Sequence, residues 1–122
     1  MAKLQTEHIL TLTATGTLEK REPVTADEGK IVLREPTDKE WNTYDGSRFE
    51  FTKKGKVRKG DQSAAKCELF DQIVTDVQNI EDGTGAITLS DLARIPARYK
   101  QRAIFMCFED EISDDDEDSE KN

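Results

Sequence analysis

The chain is poor in the residues from which catalytic and metal sites are built. Its 122 residues include one histidine, His8, and two cysteines, Cys67 and Cys107. A single imidazole and two thiols 40 positions apart, with no Cys-x-x-Cys pair, supply neither a nucleophile–base–carboxylate set nor a cysteine–histidine metal cage. No glycine-rich phosphate loop is present, and the acids of the body read as helix caps and solvated surface. These absences predict a protein that is not an enzyme and uses no cofactor or metal. The two thiols read as reduced core residues of a cytosolic protein. No apolar run is long enough for a membrane span or a signal peptide, so no membrane partner is expected.

Net charge is also missing from the body of the chain. The formal charge of −8 is carried entirely by Glu109–Asn122, which holds nine acidic residues and one lysine. Residues Met1 to Phe108 are left with 17 groups of each sign. A neutral body argues against a phosphate-binding surface, so no nucleic-acid partner is expected. The tail has Ile112 as its only apolar side chain and cannot repay the entropy of ordering. The domain organisation is therefore one globular unit over 1–108 and a disordered acidic tail over 109–122.

The strongest positive signal is Ser63–Ile80, the longest run with a sustained helical period. Ala65, Leu69, Ile73 and Ile80 share one side, Phe70, Val74 and Val77 form the adjoining row, and Lys66, Glu68, Gln72, Asp76 and Gln78 face water. His8–Leu18 alternates with period two, its threonines on the wet side, and reads as a strand that pairs with a second over Lys30–Arg34. Thr37-x-x-Glu40 is a capping box opening a short helix to about Tyr44, with Trp41 and Tyr44 on one face. Asp45–Gln62 reads as a loop or exposed hairpin, with Phe49 and Phe51 on a short strand. Its five basic residues between Lys53 and Lys59 read as solvated charge near the acidic tail.

Glu81–Thr88 is a turn-rich connection that partly matches a calcium-binding loop, but Ile80 and Asp91 stand where such a loop needs its first carboxylate and its bidentate glutamate. Thr88 and Ser90 cap a short turn through Arg94, Ile95-Pro96 ends it, and Pro96 opens the last helix. That helix is apolar over more than half its circumference, with Tyr99, Ala103, Ile104, Phe105, Met106 and Phe108, while Arg98, Lys100, Gln101 and Arg102 crowd its first half. The fold class expected from these elements is α+β, an N-terminal strand pair or small antiparallel sheet packed on two to four helices.

Three strings carry a resemblance. Ile31-Val-Leu-Arg-Glu-Pro-Thr-Asp-Lys-Glu-Trp41, Glu68-Leu-Phe-Asp-Gln-Ile-Val-Thr-Asp-Val-Gln-Asn-Ile-Glu-Asp82 and Ile95-Pro-Ala-Arg-Tyr-Lys-Gln-Arg-Ala-Ile-Phe-Met-Cys-Phe108 cover about a third of the chain. In order and character they resemble the tail assembly chaperones of long-tailed bacteriophages. The resemblance implies a non-catalytic protein of the bacterial host cytoplasm, absent from the finished virion. Its partners would be the tape-measure protein, which it keeps soluble, and tail-tube subunits, which it recruits; self-association is possible. The apolar face that shields the tape measure is expected at Trp41, Tyr44, Tyr99, Ile104, Phe105 and Phe108. The family also makes a longer product by ribosomal frameshifting, which an A-rich run encoding Glu120-Lys121-Asn122 would permit. The strand content before Ile31 exceeds that of a nearly all-helical family member. Two other classes compete: a regulatory or inhibitory phage protein that occupies a basic host site with its acidic tail, and a single calcium-binding hand.

Overall fold

The computed structural model describes residues 1–47, 49–51, 57–59 and 62–109. Residues 110–122, which hold all but the first residue of the expected acidic tail, and most of the basic segment 52–60 lie outside them. The fold is α+β. Strands β1 (Glu7–Leu12), β2 (Leu18–Glu19), β3 (Gly29–Arg34) and β6 (Val74–Gln78) form an antiparallel sheet in the order β2-β1-β3-β6. Helices α1 (Asp38–Ser47), α2 (Gln62–Ile73) and α3 (Ala97–Ile104) pack with it, together with a 3-10 helix over Leu89–Arg94 and a π-helical turn over Phe105–Glu109. A hairpin of β4 (Phe49–Phe51) and β5 (Val57–Lys59) stands apart as its own pair, in the segment read as a loop or hairpin. Among the described residues no helix is long and apolar enough to cross a membrane.

The core lies between one face of the sheet and the helices. Register places Leu10 opposite Ile31 and Ile31 opposite Val77, so these side chains share a face. They meet Leu69, Phe70 and Ile73 of α2 and Ala103 and Ile104 of α3 in one buried cluster. Phe70, Ile73, Ala103 and Ile104 are all fully buried.

Two expected elements are divided in the structure. The alternating run His8–Leu18 turns back on itself after Leu12, because Gly16 takes the left-handed backbone (φ 88°) that a tight return needs. The Thr13 amide donates to the Thr17 carbonyl at 2.9 Å, and the Gly16 amide to the Thr13 carbonyl at 2.9 Å. Thr11, expected on the wet side, is fully buried, and its hydroxyl donates to the Arg21 carbonyl at 2.7 Å.

The long helix expected over Ser63–Ile80 stops at Ile73. Val74–Gln78 instead pairs with the second edge of β3, whose backbone groups would otherwise lack partners. The β-branched Val74, Thr75 and Val77 suit that conformation. Thr75 is the extra residue of a bulge where the register shifts, and its hydroxyl donates to the Val32 carbonyl at 3.3 Å. Asn79 leaves the strand in the left-handed region (φ 56°), its side-chain amide donating to the carbonyls of Ala26 and Glu28 at 2.9 Å each.

The capping box at Thr37 and Glu40 is present. The Glu40 amide donates to the Thr37 hydroxyl at 3.2 Å and the Thr37 amide to Glu40 Oε1 at 2.9 Å. The helix it opens runs one turn past Tyr44, to Ser47. Thr88, expected with Ser90 to cap the next turn, stands at the start of the 3-10 helix, its amide and hydroxyl donating to Asp91 Oδ2 at 3.2 and 3.0 Å.

Candidate partner-binding groove

A groove runs from the turn segments around Asp27 and Glu81 to the exposed side of α3. It consists of four adjoining hollows of about 330, 460, 520 and 390 Å³. The first and second share Asp27, Asn79, Ile80 and Glu81 in their walls. The second and third share Gly16, Leu18 and Tyr99, and the third and fourth share Arg98 and Arg102. Apolar side chains from three places line the second hollow: Leu12 and Leu18 from the first hairpin, Ile80 and Ile87 from the turn after β6, and Ile95 and Tyr99 from around the start of α3.

Tyr99 stands at the middle. It is half-buried, and its hydroxyl donates to the Gly16 carbonyl at 3.2 Å, tying α3 to the first β-turn. One wall is held by Arg94, which donates to Asp82 at 2.7 and 3.0 Å and to the carbonyls of Gly85 and Ala86 at 2.8 and 3.1 Å. The Arg94 guanidinium, with the Thr84 hydroxyl and amide, keeps the Asp82 carboxyl far below the ordinary carboxylate range. Asp82, which the partial calcium-loop match sets at the third loop position, is thus engaged by an arginine. Among the described residues no three histidine, cysteine or acidic side chains gather as a metal-holding group.

The far end of the groove reaches the π-helical turn. Phe105 is half-buried, with the Arg102 guanidinium 5.7 Å from its ring centre, and Arg98 lies 5.0 Å from the Tyr99 ring centre. Lys66 lines the fourth hollow and was expected to face water, yet it is buried and pairs with Glu109 at 3.2 Å. The other Glu109 oxygen accepts from the Tyr44 hydroxyl at 2.5 Å. Glu109, placed by sequence at the start of the tail, is therefore seated in the domain.

The six residues expected to form a partner-binding face separate into three groups. Tyr99 and Phe105 lie in the groove. Trp41 and Phe108 are half-buried and pack edge-on with ring centres 5.2 Å apart, and Phe108 also packs edge-on to His8 at 4.8 Å. Tyr44 and Ile104 are core residues, 3% and 0% exposed, and are withdrawn from the face. On α3, Ile104 falls with Lys100 and Ala103 on the side turned into the domain. Tyr44 is drawn in by its bond to Glu109 and by Trp41, 6.0 Å away.

His8 is the nearest approach to catalytic geometry. It is buried, and its Nε2 lies 2.7 Å from Glu35 Oε2. Its Nδ1 is buried and has no hydrogen-bond partner among the described residues. Burial pushes the neighbouring Cys107 thiol up to about 11. Neither Cys107 nor Cys67 is in a disulfide.

The sequence reading missed the acidic end of the groove. Asp27 and Glu81 lie 54 positions apart in two turn segments, and only the fold brings them to one wall. No family model, curated protein or solved structure matches the chain.

Proposed function

We propose that this protein is a tail assembly chaperone of a long-tailed bacteriophage. It acts without catalysis in the host cytoplasm, binds and solubilises the tape-measure protein, helps recruit tail-tube subunits, and leaves no copy in the finished virion. The reading starts from the three strings between Ile31 and Phe108. The observation that carries it is the α3 groove, an open apolar channel flanked by Tyr99 and Phe105 that no described element fills. A reversible chaperone needs such a surface, apolar enough to cover a client and interrupted by enough charge to release it.

Co-expression with the tape-measure protein tests the reading. The intact chain is expected to move the tape measure into the soluble fraction and to co-purify with it. Phe105→Ser is expected to weaken both effects. Phe108 is unsuited to this test, because its contacts with His8 and Trp41 tie it to the fold.

A further inference from the structure

The groove is charged at both ends, with opposite signs. At one end Asp27 and Glu81 are exposed. Asp27 accepts only the Thr25 hydroxyl, at 2.5 Å, and neither carboxylate has a cationic partner among the described residues. At the other end Arg98 and Arg102 are exposed and lie on aromatic rings, and neither has a carboxylate partner among the described residues. A guanidinium lying on a ring still presents its N–H groups to an incoming carboxylate. Asp82 and Arg94, between the ends, already neutralise each other.

The geometry points to a site for a dipolar polypeptide segment: a basic residue against Asp27 and Glu81, aliphatic side chains over Tyr99, and an acidic residue against Arg98 and Arg102. This deepens the proposed function and rests on it for the claim that the groove takes a polypeptide. The chemistry of the segment follows from the groove alone. The apolar floor gives affinity without choosing a sequence, whereas four charges with no ionic partner among the described residues reject a segment with the wrong sign at either end.

The test is binding by fluorescence anisotropy of three labelled peptides of equal length with the same leucine–alanine middle. One carries lysine at one end and glutamate at the other, one carries lysine at both ends, and one carries glutamate at both. The full chain is expected to bind the dipolar peptide about tenfold tighter than either of the others, a difference of about 1.4 kcal/mol. In a D27K/E81K variant the preference moves to the doubly acidic peptide. In an R98E/R102E variant it moves to the doubly basic one. All four side chains are exposed, so the variants are expected to keep the thermal midpoint of the parent. D27N/E81Q and R98Q/R102Q are expected to lose the preference without reversing it.

Equal affinity for the three peptides, no binding of any, or a preference the variants do not move overturns the inference. Solubilisation of the tape measure by a chain without charge preference overturns it while leaving the chaperone reading in place. Charge preference without any effect on the tape measure supports the inference and removes the chaperone reading.

Discussion

Single residues decide how closely the groove walls approach. Gly29 is one such position, because a Cβ built there would stand 2.4 Å from Ile80 Cγ1 and 2.9 Å from the Asn79 carbonyl oxygen. Gly29→Ala is expected to cost about 1–3 kcal/mol by forcing β3 away from the turn after β6. Urea denaturation at neutral pH measures it as a lower midpoint with an unchanged slope. Glu40 works at the opposite end of β3. Arg34 donates to both its carboxylate oxygens at 2.7 and 2.8 Å, and also to the Gln72 carbonyl at 3.0 Å, so one side-chain pair joins β3, α1 and the end of α2. Arg34 first, and the Thr37 amide second, hold the Glu40 carboxyl down to about 2 from an ordinary 4.5. A carboxyl depressed in the folded state stabilises the fold above its unfolded value and loses that contribution as the pH falls toward the folded one. Glu40→Gln is therefore expected to lower stability at pH 7, and the gap between variant and parent to narrow between about pH 4.5 and 2 in denaturation curves taken across that range.

At the scale of elements, the junction of α3 and the π-helical turn shows two neighbouring side chains with different fates. Ile104 is fully buried and Phe105 half-buried, so Ile104→Ala is expected to cost about 2–5 kcal/mol. Phe105→Ala should cost about 1 kcal/mol despite removing the larger side chain. Thermal unfolding of the two variants checks the order; equal losses would place Phe105 in the core. Much of this organisation was legible in residues. The helix caps at Thr37 and Thr88 are read from local chemistry and appear where expected. The transition from α2 to β6 was not legible, for a physical reason. Ile73, Val77 and Ile80 fit a helical stripe, while the β-branched Val74, Thr75 and Val77 suit a strand, so local pattern alone supports both. The open edge of β3, over 40 positions upstream, decides between them. The groove was half legible on the same grounds. Tyr99 and Phe105 belong to one helical pattern, whereas Asp27 and Glu81 come from separate turns that only the sheet brings together.

At the scale of the molecule, the sheet and helices spend their apolar surface on one core, and the π-helical turn closes it through Glu109, Lys66 and Tyr44. That closure leaves a groove open from the acidic turn segments, past the outward side of α3, to Phe105. The body balances 17 acids against 17 bases, so the groove's charges are local rather than part of a general field. On the proposed reading, a client held there would be gripped by apolar contact and aligned by two weak ion pairs. Such a combination would release the client readily if tail-tube subunits competed for it, as the proposed function requires. The most direct measurement of this account is the soluble fraction of the tape-measure protein when it is co-expressed with the intact chain and, separately, with Phe105→Ser. A soluble, co-purifying tape measure with the intact chain and a sharp loss with the variant is the expected result. A tape measure that stays insoluble with the intact, folded chain, or is equally soluble with both forms, would contradict the claim that this groove holds the client.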